Sequence, residues 1–282
     1  MIEFRETLHG HFGQHFPVSR ILYRETTEHQ DLVIFETPEF GRVLALDGTI
    51  QTTSRDNHIY HEMFVHVPVL AHGRVRRVLI IGGGDGGSLR EALKHPLETA
   101  VLVDIDRAVI DLCRMHMPEL PDGAFEHPNA RIVIDDGFRF VGETEERFDV
   151  IIVDSTDPPG PSETLFTPEF YRRCKRCLTP GGVLATMSGT PFLQPELLRK
   201  SAENLGQAFA DVGFYYSAVP SYTGGLLAMG FATDDPALRE VPVETLRERF
   251  AASGIATRHY TPEIHRAAFA QPPAYAALYA QQ

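Results

Sequence analysis

Apolar and polar positions change rhythm about sixty residues into the chain. Before that point the apolar stretches are short and β-branched: Leu32–Thr37, Arg42–Leu46 and Thr49–Thr53. Turn residues at Pro38–Gly41 and the pair Asp47-Gly48 separate them. An Asp-Gly pair between two such runs is a strong hairpin signal. A small antiparallel β-domain is therefore expected over residues 1–60. A helix expected over Ile59–Leu70 leads into the remainder, residues 61–282.

Beyond that helix, apolar runs alternate with helical patterns. The runs are Val78–Ile81, Ala100–Asp104, Ile132–Ile134, Asp149–Asp154 and Gly182–Met187. Val109, Leu112, Cys113 and His116 have the spacing of one helix face. Short buried strands alternating with helices predict βαβ units and a mostly parallel sheet, the α/β class. Ligands of such sheets bind at the carboxyl ends of the strands. The tail containing Pro262, Pro272 and Pro273 reads as irregular surface wrapping.

The carboxyl ends carry the candidate chemistry. The run Val78–Ile81 enters Gly82-Gly83-Gly84-Asp85-Gly86-Gly87 and then a helix over Ser88–His95. Such glycines let backbone approach a ligand closely. The next strand ends at Asp104, where a carboxylate can accept both hydroxyls of a ribose. The third ends in Ile134-Asp135-Asp136-Gly137, suited to an adenine amino group. Asp85 inside the glycine turn repels a pyrophosphate or a methionine carboxylate and favours an ammonium group. The alternative for Asp85 is an N-cap of the following helix.

The fourth strand delivers Asp154-Ser155-Thr156-Asp157 into a stiff Pro158-Pro159-Gly160-Pro161 loop. An alkyl carbon bonded to a sulfonium is electrophilic without help from a metal. The attacking amine must be neutral, whereas an alkyl ammonium titrates near ~10. A carboxylate can hold the ammonium, take its proton and align nitrogen with carbon. His61-Glu62-Met63-Phe64-Val65-His66 is one residue too long for the H-E-x-x-H zinc motif, so no metal is expected.

Composition narrows the context. The chain has 282 residues, 43% of them hydrophobic, enough for a full core. A net charge of −12 argues against a nucleic-acid partner and suits cationic ligands. Three cysteines are too few for a disulfide framework, and Cys174-x-x-Cys177 lies in a helical pattern, where incidental thiols are expected. The opening segment MIEFRETLHGHFGQHF places charges and histidines where a secretory signal needs apolar residues. No run approaches the ~18 apolar residues of a membrane span. A soluble, cytoplasmic protein without membrane partners is expected.

In combination these residues resemble the spermidine synthase (polyamine aminopropyltransferase) family. The matching blocks are Leu46–Gly48, Tyr60–Met63, Gly82–Gly87, Asp104–Asp106, Asp136-Gly137, Asp154–Asp157 through Gly160-Pro161 and Glu163 to Phe166, and Pro220–Tyr222. The similarity runs from about Gln30 to Phe269. It implies a Rossmann-like, methyltransferase-type domain after the β-domain, and a homodimer or homotetramer. The implied reaction moves the aminopropyl group of decarboxylated S-adenosylmethionine, a co-substrate, onto a diamine such as putrescine, with no cofactor. By position, Gln30, Asp104, Asp136, Gly137 and Pro161 would contact the nucleoside. Tyr60, His61, Asp85, Asp157 and Tyr222 would line the amine region, and Asp154 would accept the proton.

The chain departs from the family pattern at two positions. Asp104 stands where Glu is common, and Met187 where Gln is often found near the far end of the diamine. A thioether cannot replace an amide's hydrogen bonds, so an acceptor such as cadaverine or a longer polyamine is an alternative. Rivals of other classes are a methyltransferase on the same fold, a nicotinamide dehydrogenase and a non-catalytic polyamine- or nucleoside-binding protein.

Overall fold

The computed structural model describes residues 2–6, 10, 12–158, 160 and 162–279. The chain opens with a hairpin of β1 (Ile2–Glu6) and β2 (Gln14–Val18). A separate antiparallel sheet follows in simple meander order: β3 (Arg20–Thr26), β4 (Asp31–Thr37), β5 (Gly41–Leu46) and β6 (Thr49–Thr53). Asp47 and Gly48 link β5 to β6 with φ of 47° and 77°, the left-handed pair that a two-residue hairpin requires.

α1 (Asn57–His72) leads into the larger sheet. The elements then run β7 (Arg77–Gly82), α2 (Gly87–Leu93), β8 (Thr99–Asp104), α3 (Arg107–His116), β9 (Ala130–Ile134), α4 (Gly137–Glu143) and β10 (Phe148–Asp154). They continue as α5 (Pro168–Cys177), β11 (Leu178–Met187), α6 (Pro195–Gly206), β12 (Asp211–Ala218) and β13 (Leu226–Thr233). The last elements are α7 (Val243–Ser253), α8 (Pro262–Ala268) and α9 (Pro273–Ala276). Across the sheet the strand order is β12-β13-β11-β10-β7-β8-β9. The five strands from β11 to β9 are parallel, and β13 and β12 close the other edge antiparallel. This is the Rossmann-like, methyltransferase-type arrangement that the resemblance implies. The order reverses between β7 and β10, so their carboxyl ends splay apart and open a crevice.

All five strands read from the apolar runs are present. β12 and β13 were not among them: Leu226–Thr233 is apolar on both faces and offers no alternation to read. The tail corrects a second expectation, since Pro262 and Pro273 stand in the first turns of α8 and α9. Proline there forfeits only an N–H that has no partner within the helix.

One face of the large sheet packs α1 with residues from α2, α7 and α8, and the other packs residues from α4, α5 and α6. The face of α3 read as Val109, Leu112 and Cys113 packs instead on Leu32, Ile34, Leu44 and Leu46 of the small sheet. That contact holds the meander beside the carboxyl ends of the parallel strands. Cys174 and Cys177 are buried free thiols on α5.

α1 is buried along almost its whole length. Its Glu62, 1% exposed, accepts backbone N–H groups from Arg258, His259 and Tyr260 at 2.7–3.1 Å. His66 on the same helix bridges His95 and Glu91 at 2.9 and 3.0 Å. A buried carboxylate needs such donors, and they bind the C-terminal segment and α2 to α1.

Candidate active site

The crevice is a cleft lined by the carboxyl ends of the parallel strands and by residues of the small sheet. One end of it lies where β7, β8 and β9 stop. Asp104 at the end of β8 accepts the Gly84 and Asp106 N–H groups, each at 2.9 Å. Burial pushes its pKa up to about 6, and the Asp106 and Asp154 charges add to that. Gln30, just before β4, donates to Asp106 at 3.0 Å and reaches the same cleft from the small sheet. Asp136 caps α4 by accepting the Arg139 N–H at 3.1 Å. Gly137 is required by contact: a Cβ there would stand 2.3 Å from Cγ2 of Ile81.

Asp85 is not the N-cap of α2, a position held by Gly86, and its two oxygens have different partners. Oδ1 accepts the Gly87 N–H at 2.7 Å, at the start of α2. Oδ2 lies 3.4 Å from His61 Nε2 in a buried ion pair. Burial alone would lower the His61 pKa, but the Asp85 charge outweighs it and the net direction is up. Burial likewise opposes ionisation of Asp85, and His61 turns the net direction down. Gly87 makes room for this pair, since a Cβ there would lie 2.2 Å from the His61 ring.

Asp154 ends β10 in the middle of the cleft. Tyr60 donates to its Oδ1 and Ser88 to its Oδ2, the latter at 2.6 Å. Burial raises the Asp154 pKa, and the neighbouring Asp85 carboxylate raises it further. Two hydroxyl donors leave acceptor capacity on the carboxylate for a substrate N–H. Tyr222 donates to the Gln51 carbonyl at 2.6 Å, and its ring lies 5.8 Å from that of Tyr60.

Gln51, Met187 and Tyr222 also line a second cavity, which continues the cleft. Asp157 lies there, accepting from Gln194 at 2.8 Å. So does Glu6 of β1, 2% exposed, which accepts the Ile50 N–H, the Gln14 amide and the Thr223 hydroxyl. The cleft is thus lined by acceptors and hydroxyls, which suits a cation. Among the described residues no group of three or more His, Cys, Asp or Glu is placed to hold a metal ion. Among the same residues no helix is long and apolar enough to cross a membrane.

Residues 57–241 match the family described as the spermine/spermidine synthase domain, and residues 3–54 match the spermidine synthase tetramerisation domain. The chain belongs to the spermine/spermidine synthase family. It is 54% identical over 273 residues to polyamine aminopropyltransferase 1 of Pseudomonas aeruginosa, covering 96% of each chain. It is 52% identical over 271 residues to the polyamine aminopropyltransferase of Escherichia coli, covering 96% of this chain and 94% of that one. A spermidine synthase solved with the transition-state analogue AdoDATO superposes with a TM-score of 0.94 at 34% identity, covering all of this chain and 96% of the other. The spermidine synthase of Thermotoga maritima gives 0.93 at 34% identity, covering all of this chain and 95% of its own. The enzyme is thus a polyamine aminopropyltransferase, and its N-terminal residues match an oligomerisation domain.

Within this synthase fold, the residues singled out from the sequence fall into three groups. Gln30, Tyr60, Asp85, Asp104, Asp136, Gly137, Asp154 and Tyr222 line the main cleft. His61 stands behind Asp85, and Asp157 lies in the continuing cavity. Pro161 lies outside the described residues. Sequence reading missed Glu6, Gln51, Ser88 and Gln194. No local signal marks Glu6, which reaches the site only because β1 folds back across the chain. Ser88 reads as the start of a helix, and only the packing of α2 against the end of β10 turns its hydroxyl toward Asp154.

Proposed function

We propose that the enzyme transfers the aminopropyl group of decarboxylated S-adenosylmethionine to putrescine, forming spermidine and 5'-methylthioadenosine. The observation that carries this reading is the Asp154 carboxylate. It ends β10 between the hydroxyls of Tyr60 and Ser88, beside the Asp85–His61 pair and between the nucleoside end and the second cavity.

In this reading Gln30, Asp104, Asp136, Gly137 and Pro161 hold the adenosine part. Asp85 and His61 border the aminopropyl group, and Tyr60, Asp157 and Tyr222 hold the diamine. The acceptor ammonium gives its proton to Asp154. The freed nitrogen lone pair attacks the methylene carbon bonded to sulfur, and the C–S electron pair leaves with sulfur as the neutral thioether. Substrate charge offsets the acidic lining, and the larger part of the acceleration is orientation of nitrogen against carbon. The N-terminal β-domain, residues 1–60, supplies Gln30, Gln51, Glu6 and, as its last residue, Tyr60, while residues 61–282 supply the other groups around the reacting atoms. We read the assembly as a homodimer or homotetramer of cytoplasmic location.

One observation favours a broader acceptor range. The second cavity begins at Met187 and contains the Glu6 and Asp157 carboxylates, so cadaverine or a longer polyamine fits the same chemistry.

The test is mass spectrometry of products after incubation with decarboxylated S-adenosylmethionine and a mixture of putrescine, cadaverine and spermidine. Methylthioadenosine with an amine heavier by one aminopropyl group is expected, spermidine foremost. Binding without product would instead favour a non-catalytic protein, and turnover of S-adenosylmethionine itself a methyltransferase. Asp154→Asn should retain the fold and lose about 10²-fold or more in turnover. Near-normal turnover would remove Asp154 as the proton acceptor.

A further inference from the structure

Ser88 is fully buried in α2, does not line the cleft, and would ordinarily be counted as a core serine. Buried helical serines commonly return their hydroxyl to a carbonyl of the preceding turn. Ser88 instead donates to Oδ2 of Asp154 at 2.6 Å, across a sequence separation of 66.

The two oxygens of Asp154 therefore meet different surroundings. Oδ1 is shared with Tyr60, a cleft residue. Oδ2 points away, toward Ser88 and the glycine turn. That side is tight, because a Cβ on Gly83 would stand 2.9 Å from Oδ2. The Gly83 N–H also donates to the Asp154 carbonyl at 2.8 Å, which fixes the end of the strand. The backbone of Asp154 is fixed by the turn and its carboxylate is fixed by two hydroxyls from different helices.

We propose that Ser88 is a positioning residue for aminopropyl transfer: by holding Oδ2 it locks the carboxylate plane of Asp154 and leaves Oδ1 as the oxygen that receives the amine proton. The inference rests on the reading of Asp154 as proton acceptor. Ser88 itself neither touches substrate nor exchanges a proton in this scheme. The bond also favours the ionised carboxylate over the acid. That matters here, where burial and the Asp85 charge both favour the acid and only His61, Tyr60 and Ser88 oppose them. The other titratable groups around Asp154 are Asp104 at the end of β8, Tyr222 after β12, and Asp157 three residues along the chain.

The experiment compares Ser88→Ala, Ser88→Thr and Asp154→Asn with the parent enzyme, measuring kcat, KM for putrescine and the pH dependence of kcat/KM. Ser88→Ala should lower kcat about 10- to 100-fold, as expected for a misaligned reacting group. KM should change by less than about threefold, since the residue contacts no substrate. The acidic limb of the profile should move to higher pH, because the unassisted carboxylate holds its proton more tightly. Ser88→Thr keeps the hydroxyl and should return the limb toward its original position. Should Ser88→Ala not fold, Ser88→Cys, of similar size and a weaker donor, carries the same comparison.

A folded Ser88→Ala enzyme with unchanged kcat and an unmoved acidic limb overturns the positioning role, as does a loss of activity that leaves the limb in place. Asp154→Asn separates this failure from failure of the underlying reading. If Asp154→Asn is inactive while Ser88→Ala is normal, only the role of Ser88 falls. If Asp154→Asn turns over normally, the proton acceptor is elsewhere and both fall.

Discussion

The Tyr60 hydroxyl donates to the Asp154 carboxylate across 94 residues of sequence, joining the first turn of α1 to the carboxyl end of β10. Burial raises the Tyr60 pKa well above its ordinary value, and the Asp154 charge adds to that, so the phenol stays a donor throughout the working range. Tyr60→Phe keeps the ring against Tyr222 and removes only the donor. A hydrogen bond to a charged group contributes about 1.5–3 kcal/mol, so kcat/KM should fall roughly 10- to 100-fold. The acidic limb of the pH profile should move upward, as for loss of Ser88. Steady-state kinetics across pH 5.5–8.5 checks both.

Met187 joins the main cleft to the second cavity, and its thioether offers an acceptor no N–H donor and only a weak acceptor atom. Met187→Gln should raise selectivity for putrescine over cadaverine by about tenfold, the effect of one added hydrogen bond. Competition between equal amounts of the two amines, read by product mass, measures the ratio. An unchanged ratio would mean that Met187 only packs.

Asp104 should make nucleoside binding proton-linked. Its pKa in the empty site is raised to about 6, and a ribose is best held by the ionised form. Methylthioadenosine should therefore bind about tenfold more weakly at pH 5, where roughly a tenth of Asp104 is ionised, than at pH 7. Binding near pH 6 should release protons, seen by calorimetry in buffers of different ionisation enthalpy. Asp104→Asn should abolish both effects.

His95 and His265 are buried, and burial lowers each pKa to about 3. Unfolded, both would titrate near ~6.5. The unfolded chain thus binds more protons below that value, and each histidine removes stability as pH falls from about 6.5 toward 3, with a slope of about 1.4 kcal/mol per pH unit. Asp104 acts oppositely, returning stability as pH falls from about 6 toward its unfolded value. Two histidines against one carboxyl leave a net of about one proton, so the melting temperature should fall with a nearly constant slope from about pH 6 to 4.5. His95→Gln should flatten the dependence by about one proton. Thermal scans over this range test the sign and the slope.

What the sequence disclosed was unequal along the chain, for physical reasons. Strand ends were legible because a parallel sheet gathers them on one edge. Asp85, Asp104, Asp136 and Asp154 could therefore be brought together from apolar runs and turn residues alone. The Asp47-Gly48 hairpin was legible because few residue pairs accept its backbone angles. Glu6 was not, because among the described residues β1 pairs with β2 alone and reaches the second cavity by a fold that no periodicity encodes. β12 and β13 were hidden by burial on both faces, and α8 and α9 by prolines that begin helices as readily as they end them.

Glu62 follows Tyr60 and His61 on α1 but turns away from the cleft, to the backbone of Arg258, His259 and Tyr260. The C-terminal segment is therefore a brace for α1, though none of these three residues lines the cleft. A protease cut or a truncation that frees it would leave the buried Glu62 carboxyl without these backbone donors. Integrity of the chain's far end and the seating of its first helix are, in this architecture, one property.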